Sequence, residues 1–290
     1  MSRNDEMQPI QDSLIVDEVR RDSPIPATSD DPENPNQRLC DAMNAGEGTL
    51  TGYDCPVCKN KGVNYRLSPD TGSIVAVYCK CKAIREAKKN AQNSGLGDML
   101  ERCTMDTYRA DLPWQRSALQ TVQDFLSSPD GNWLYVGGQV GSGKTHLCAA
   151  ATGELLRRGI RAKYVIWRTE DQYLRSRTND QEYNKRMNEL ARVPVLYIDD
   201  FLKIENGEYQ RTSTLGAPVP TGAEVRRAFE LINARYNLRQ SITIFSSEHR
   251  LREINAFDSG LASRILERCG KDRFVVGISR SADRNMRYAV

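Results

Sequence analysis

The chain has 290 residues, which is enough for one large domain or two smaller ones with tails, and we expect two. Its net charge of +3 hides an asymmetry, because residues 1 to 53 carry 11 acidic and 4 basic side chains and residues 54 to 290 carry a net charge of +10. The first 25 residues lack an apolar signal segment and no apolar run approaches a membrane span of ~18 residues, so the sequence predicts a cytoplasmic protein without membrane contact.

Residues 1 to 49 are predicted to form a flexible acidic N-terminal arm. The tract from Ser23 to Pro35 is rich in Pro, Asp, Asn and Ser, and its apolar content is too low to offset the entropy of ordering. Apolar residues between Ile10 and Val19 recur at helical spacing, so a short helix that folds only on a partner is the alternative for that part of the arm.

Two close cysteine pairs follow the arm, Cys55 with Cys58 and then Cys79 with Cys81. The segment between them can form a hairpin, which would bring the pairs together. Four thiolates complete a tetrahedral Zn²⁺ shell, so we predict a structural zinc in a module of residues 50 to 102. A redox Cys-x-x-Cys is the alternative, and the second pair argues against it. The remaining cysteines match no ligand spacing and are expected to be buried or incidental: Cys40, Cys103, Cys148 and Cys269.

An ATPase domain is predicted over residues 103 to 290, and its strongest signal is a P-loop at Gly138–Thr145. An apolar run precedes this loop and a helical pattern follows it, in the order strand, glycine loop, helix. In this order, backbone N–H groups face the phosphates, Lys144 places a charge on them, and the hydroxyl of Thr145 binds Mg²⁺. The predicted nucleotide-binding residues of this segment are Gly138, Gly141, Ser142, Gly143, Lys144, Thr145 and His146.

Two later strands are predicted to end in polar residues. The apolar strand from Val193 ends in Asp199, which would hold Mg²⁺, and Asp200, which would orient and deprotonate the attacking water. The alternative is that both acids only terminate the strand as a turn. The next strand ends in Ser246-Ser247-Glu248, where Ser247 or Glu248 would sense the γ-phosphate. Alternating strands and helices predict an α/β fold with a parallel sheet and the nucleotide at the carboxyl ends of its strands.

These motifs together resemble the AAA+ ATPases of the bacterial replicative helicase loaders, the DnaC/DnaI type. The P-loop, Asp199-Asp200, Ser246-Ser247-Glu248 and Ser263-Arg264 occur in the order of that family. The cysteine pairs, the basic helix after them and the segment Cys103–Tyr108 are similar to the N-terminal domain of DnaI-like and phage-encoded loaders. The resemblance covers residues 50 to 290 and implies an AAA+ core without a lid domain, preceded by a helicase-interacting zinc module.

The resemblance also implies roles for single residues. Arg264 would be an arginine finger that reaches the nucleotide of a neighbouring subunit, and Arg287, or alternatively Arg284, would be the late arginine of the family. Asp200 stands where many AAA+ proteins have Glu, and its shorter side chain implies slow hydrolysis. Glu248 stands where the family often has Asn.

The expected function is therefore an ATP-dependent replicative helicase loader acting in the initiation of DNA replication. Its expected partners are the hexameric helicase, single-stranded DNA and further copies of the chain, and its expected cofactors are ATP, Mg²⁺ and Zn²⁺. A basic cluster after the P-loop helix could follow DNA phosphates: Arg157, Arg158, Arg161 and Lys163. The alternative is an IstB-like transposition helper ATPase, and a metabolic P-loop kinase is a third reading that leaves the zinc module unexplained.

Overall fold

The structure is a computed structural model that describes residues 34–51, 53–177, 180–204 and 219–287. The chain divides into two compact units, Met1–Lys89 and Asn90–Val290. The first part of the predicted arm and residues 205–218, which belong to the Gly/Pro/Thr-containing segment 202–220 expected to be a long loop, lie outside the described residues. Within the described part of the chain, no helix is both long and apolar enough to cross a membrane.

The first unit contains a helix, a hairpin and the start of a second helix. These elements are α1 (Pro35–Ala45), β1 (Val63–Leu67), β2 (Ile74–Tyr78) and α2 (Cys81–Asn93). The strands are antiparallel, with Val63 opposite Tyr78, as the sequence predicts for a hairpin. Helix α1 corrects the predicted extent of the flexible arm, because residues 35 to 45 are helical. The side chain of Asn44 holds α1 on β1 by bonding both the N–H and the C=O of Tyr65.

The second unit is an α/β domain, and α3 is a single short turn of helix that precedes its main elements. In chain order the elements are α3 (Met99–Arg102), α4 (Pro113–Ser127), β3 (Leu134–Gly138), α5 (Lys144–Arg157), β4 (Ala162–Ile166), α6 (Trp167–Ser176), α7 (Asp180–Arg192), β5 (Val195–Asp199), α8 (Gly222–Asn237), β6 (Ile242–Ser247), α9 (Leu251–Phe257), α10 (Ser259–Arg268) and β7 (Val275–Ile278).

The five strands of this unit form one parallel sheet in the order β4-β5-β6-β3-β7. Strands β3, β5 and β6 are buried along their whole length, which explains their continuous apolar sequences. Aromatic rings fill the core around them, including Trp133, Phe201 and Phe245. The predicted α/β fold with a parallel sheet is confirmed, and the P-loop strand β3 lies between β6 and β7.

The boundary between the units falls earlier than the predicted residue 103. The carbonyl of Ser94 accepts a hydrogen bond of 2.7 Å from the N–H of Tyr164 at strand β4, and Leu96 is buried in the core of the second unit. Residues 90 to 102 therefore pack with the second unit. Sequence patterning cannot reveal this, because the contacts join segments about 70 residues apart.

Two stretches for which helical periodicity in the sequence predicts one continuous helix are each divided in the structure. The charged stretch expected as one helix over 170 to 190 forms α6 and α7. The stretch expected as one helix over 251 to 269 forms α9 and α10, because Asp258 leaves the helical conformation and caps α10 by accepting a hydrogen bond from the N–H of Leu261. Thr221 caps α8 as predicted, accepting from the N–H of Glu224.

Candidate nucleotide-binding site and cysteine cluster

The P-loop connects β3 to α5 and depends on its glycines. Gly138 has φ of 123°, and a Cβ atom there would lie 1.9 Å from the carbonyl oxygen of Ile278. Gly143 has φ of 82° and is the N-cap residue of α5, so the loop turns into the helix in a left-handed conformation. This geometry leaves the first N–H groups of α5 available for phosphate oxygens.

Lys144 begins α5 and its side chain is buried. Its ammonium donates hydrogen bonds to the carbonyl oxygens of Gly138 (3.1 Å) and Gln139 (2.7 Å). Burial lowers the pKa of Lys144, and the carboxylates of Glu248 and Asp200 oppose this effect. The ammonium thus lies against the loop that would surround the phosphates, where a phosphate would replace carbonyl oxygens as its partner.

Asp199 is the last residue of β5, and three hydroxyl groups contact its carboxylate. Its carboxylate accepts hydrogen bonds from Thr145 Oγ1 (3.1 Å), from Tyr164 Oη (3.1 Å) and from Ser246 Oγ. The predicted pair Thr145 and Asp199 is therefore brought together beside the P-loop. Oxygen donors of this kind fit Mg²⁺, which binds through one or two carboxylates plus substrate phosphates. Sequence reasoning missed Tyr164 and Ser246, because nothing in their local patterns points to Asp199.

Asp200 begins a tight turn after β5 and has a left-handed backbone, with φ of 50°. The tip of β6 holds this turn by several hydrogen bonds. Ser246 Oγ accepts from the N–H of Asp200 at 3.2 Å, and the carbonyl oxygen of Ser246 accepts from the N–H of Phe201 at 2.8 Å. The carboxylate of Asp200 faces the ammonium of Lys203 at 3.0 Å.

The two predicted sensor residues have different surroundings. Ser247 is fully buried, and its hydroxyl donates to the carbonyl oxygen of Phe201 (2.7 Å) and accepts from the N–H of His249 (3.0 Å). These bonds occupy the hydroxyl in the turn, so Ser247 does not face the nucleotide loop. Glu248 instead lines a cavity together with Gly138, Gln139, Val140, Ile204, His249 and Arg280.

His146, a predicted nucleotide-binding residue, follows Thr145 at the start of α5. In the structure its ring lies against the segment before α4: its Nε2 donates to the carbonyl oxygen of Thr104 at 2.9 Å, and the ring meets that of Tyr108 edge to face at 5.5 Å. Tyr108 also lies against Gly143, where an added Cβ would be 3.0 Å from its ring. Burial raises the pKa of Tyr108 to about 12, and its hydroxyl has no hydrogen-bond partner among the described residues.

The segment after β7 lies along the P-loop. The N–H of Met286 donates to the carbonyl oxygen of Gly141 at 2.9 Å, and a Cβ on Gly141 would lie 2.0 Å from Asn285 Oδ1. Arg287, the late arginine of the resemblance, is exposed and directly follows Met286, the residue that bonds the P-loop. Arg284 bonds Ser279 Oγ instead.

Arg264, the predicted arginine finger, lies on α10 against α8. Its Nε donates to Asn233 Oδ1 at 2.9 Å, its Nη1 donates to the carbonyl oxygen of Gly260 at 2.9 Å, and its guanidinium lies 4.6 Å from the ring centre of Phe229. These contacts involve no residue of its own P-loop. The role of Arg264 as an arginine finger therefore stays a prediction.

The basic cluster predicted to follow DNA phosphates is largely paired in the structure. Arg157 and Arg158 both bond the carboxylate of Glu154, and Lys163 bonds Glu189 at 2.5 Å. Arg161 is exposed. The cluster therefore presents less free positive charge than its sequence suggests, because spacing alone does not show which acids lie opposite.

The four predicted zinc ligands meet in the first unit. The Sγ atoms of Cys55, Cys58, Cys79 and Cys81 lie within 4.8 Å of one another. Cys55 and Cys79 are 3.8 Å apart, and Cys58 and Cys81 are 3.5 Å apart. Tetrahedral Zn²⁺ with bonds of ~2.3 Å would separate its sulfur ligands by about 3.8 Å, so the residues fit this ion.

The surroundings of the cluster support the same assignment. The four cysteines, with Tyr53 packed against them, form the buried core of this region, and burial raises the pKa of the Cys81 thiol to about 12. A bound cation would stabilise the thiolates against this burial. Cys58 Sγ accepts from the N–H of Gly62 at 3.3 Å, and Asn60, which sequence reasoning missed, accepts from the N–H of Cys55 and from Arg85.

Residues 108–287, more than half of the chain, match the family described as IstB-like ATP binding protein. The chain belongs to this family. Among relatives, the IstB-like chain is 26% identical over 263 residues to the phage-like element PBSX protein XkdC of Bacillus subtilis (strain 168), covering 88% of this chain and 89% of the relative. It is 27% identical over 131 residues to the replicative helicase loader DnaC of Escherichia coli (strain K12), covering 43% of this chain and 52% of DnaC.

Solved structures similar to the IstB-like chain include the crystal structure of the DnaI, with a TM-score of 0.47, 20% identity and coverage of 63% of this chain and 93% of that one. The crystal structure of the DnaC helicase loader has a TM-score of 0.43 and 22% identity, and the match covers 63% of this chain and 98% of that one. The family match and the DnaC relative confirm the resemblance to AAA+ ATP-binding proteins of the IstB/DnaC kind.

Proposed function

We propose that this protein is an ATP-dependent loader that places a hexameric replicative helicase on single-stranded DNA in the initiation of replication. The observation that carries the proposal is that one chain holds both a nucleotide site and, in a separate unit, a cysteine cluster that fits structural zinc. The unit with the nucleotide site can change its state when ATP is bound or hydrolysed, and the unit with the cysteine cluster can present a rigid surface to a partner protein. The relative named as a replicative helicase loader supports this reading.

Each part of the nucleotide site has a task in the proposed reaction. Lys144 binds phosphate oxygens, while Thr145 and Asp199 hold Mg²⁺, which neutralises charge on the β- and γ-phosphates. Asp200 orients and deprotonates the attacking water, and Glu248, which lines the cavity beside the P-loop, senses the γ-phosphate. Arg264 of a neighbouring copy stabilises the charge that develops, so hydrolysis depends on self-association.

ATP binding tests the nucleotide part of the proposal. Lys144→Ala should weaken ATP·Mg²⁺ binding by roughly 100-fold, because it removes charge-assisted hydrogen bonds to phosphate. Calorimetry on the full chain measures this, with the exposed lysine variant Lys185→Ala as the matched control. Equal affinity in the two variants would contradict the proposed site.

Helicase binding tests the other part. The full chain with Cys55→Ser should lose capture of a purified hexameric replicative helicase and keep ATP binding, whereas Cys103→Ser, outside the cluster, should keep both. DNA binding is measured separately and should weaken steeply with salt, because phosphate contacts release counterions. Helicase capture that survives loss of the cluster would overturn the assignment of the zinc module.

The alternative is a transposition helper ATPase, and the description of the matched family favours it. The match begins at residue 108, after the cysteine cluster, so the cluster requires an explanation of its own. The two functions differ in the partner, because a transposition helper stimulates a transposase and does not place a helicase on DNA. Stimulation of helicase unwinding on DNA coated with single-strand-binding protein would favour the loader.

A further inference from the structure

A lysine that the function has not used lies between two carboxylates of the nucleotide site. Lys203 Nζ is 3.0 Å from Asp200 Oδ2 and 3.2 Å from Glu248 Oε1. All three side chains are partly buried, with 37%, 34% and 26% of their surfaces exposed in the order Lys203, Asp200, Glu248. Asp200 is the proposed water-activating base, so this contact bears directly on the reaction.

The backbone of the turn gives Lys203 this position. Asp200 and Leu202 both have left-handed backbones, with φ of 50° and 57°. The N–H of Lys203 closes the turn on the carbonyl oxygen of Asp200 at 3.1 Å. Such conformations are costly for non-glycine residues and persist only where surrounding contacts impose them.

Those contacts come from the end of β6. Ser247 Oγ donates to the carbonyl oxygen of Phe201, and His249 Nε2 donates to the carbonyl oxygen of Leu202 at 3.0 Å. Phe201 and Leu202 are fully buried, so the turn cannot move without breaking the core. Lys203 is therefore held three residues after Asp200 on a rigid support, and its ammonium reaches the carboxylate without rearrangement of the backbone.

The contact opposes the chemistry assigned to Asp200. A general base must offer a carboxylate lone pair to a proton of water, and here the ammonium bonds Oδ2 and attracts its negative charge. Burial lowers the pKa of Lys203, but the hydrogen bond and charge of Asp200 outweigh this effect, so its pKa lies above the ordinary value. The ammonium is thus charged at neutral pH.

We propose that Lys203 is a positioning residue that restrains Asp200 through this ion pair and keeps the basal hydrolysis of ATP slow. The proposal rests on the function proposed above, in which Asp200 activates water. The ion pair would be a second cause of the expected slow hydrolysis, in addition to the short side chain of Asp200. Glu248 contributes by binding the same ammonium beside the P-loop cavity.

Steady-state hydrolysis by the full chain, without helicase or DNA, tests the proposal. Lys203→Met should raise kcat by up to about fivefold, the factor that corresponds to ~1 kcal/mol and to the upper limit for a partly exposed ion pair. KM and ATP affinity should stay unchanged, because the ammonium contacts carboxylates of the protein. Lys203→Arg, which keeps the charge, should retain the slow rate.

Two control variants and one replacement variant show whether a change in kcat is specific to Lys203. Lys185→Met removes an exposed lysine of α7 and should leave kcat unchanged. Asp200→Asn combined with Lys203→Met should lose hydrolysis, because the gain acts through Asp200. Lys203→Gln repeats the test without charge if the Met variant does not fold.

Two outcomes would overturn the proposal that Lys203 restrains Asp200. One is a kcat at or below the wild-type value in a variant that binds ATP normally, because a lysine that stabilised phosphate charge would give this result. The other is the absence of hydrolysis in both the wild type and Lys203→Met. Failure of the wild type to bind ATP is a different result, and it would overturn the proposed ATPase function itself.

Discussion

Arg264 and Arg268 lie one turn apart on α10 and have opposite surroundings. Arg264 bonds one side chain, Asn233, and one carbonyl oxygen, and it is partly exposed. Arg268 is buried and donates to carbonyl oxygens of five residues, which lie before β3, in α8 and between α8 and β6: Gly131, Tyr236, Leu238, Arg239 and Ser241. These contacts give Arg268 a structural role, whereas the arginine-finger role of Arg264 stays a prediction.

Arg264→Ala should lower the hydrolysis that depends on self-association by roughly 10³-fold, because an arginine finger stabilises the transferring phosphoryl group of another subunit. ATP binding by the isolated chain should not change. The measurement is ATPase rate as a function of protein concentration, with the exposed Arg252→Ala of α9 as the control. A rate that is independent of protein concentration, with no effect of the substitution, would make Arg264 structural.

At the scale of elements, a second buried arginine joins three parts of the α/β domain. Arg235 of α8 is fully buried and donates from Nη1 to the carbonyl oxygens of Leu190, Ala191 and Val193, at 2.8, 3.0 and 2.9 Å. Its Nη2 and Nε bond β6, at the carbonyl oxygen of Ile242 (2.6 Å) and Thr243 Oγ1 (2.9 Å). This guanidinium therefore supplies hydrogen-bond donors to carbonyl groups at the end of α7 and to acceptors at the start of β6.

Arg235→Met should therefore lower the free energy of unfolding by about 3–5 kcal/mol, because it leaves several buried oxygen acceptors without donors. Urea unfolding measures the change. Arg239→Ala, whose side chain is 75% exposed, should change stability by less than ~0.5 kcal/mol. A small effect of Arg235→Met would mean that water reaches these carbonyl groups.

At the scale of the whole molecule, the two units should respond differently to loss of metal. The core around Cys55 consists of the four thiols and Tyr53, so the ion would supply most of the folding free energy there. The second unit, which carries the proposed ATPase site (the ATPase unit), has a large apolar core of its own. Cys55→Ser should therefore release one equivalent of Zn²⁺ and expose the amides of β1 and β2 to hydrogen exchange, while the ATPase unit stays protected.

Metal analysis and hydrogen exchange on the full chain check this expectation, with Cys103→Ser as the control that keeps its zinc. If the freshly purified wild type contains no zinc, the cysteines return to the redox alternative. If the ATPase unit unfolds as well, the units depend on each other for stability.

Local spacing in the sequence predicted that a P-loop joins a strand to a helix and that the four cysteines form one cluster. It also predicted that a buried strand ends in Asp199 and Asp200 and that strands alternate with helices. Each of these signals lies within a few residues or repeats with the period of a helix or strand, so it is visible without knowledge of the fold. The family comparison confirmed the AAA+ character that these motifs imply.

Tertiary structure decided which side chains surround Asp199 and Asp200, and where the ATPase unit begins. Tyr164 and Ser246 reach Asp199 from neighbouring strands, and Lys203 meets Glu248 across 45 positions of the chain. Residues 90 to 102 belong with the ATPase unit because Ser94 bonds Tyr164. Such contacts depend on strand order and on the geometry of turns, which bring distant residues together and leave no periodic pattern in the sequence.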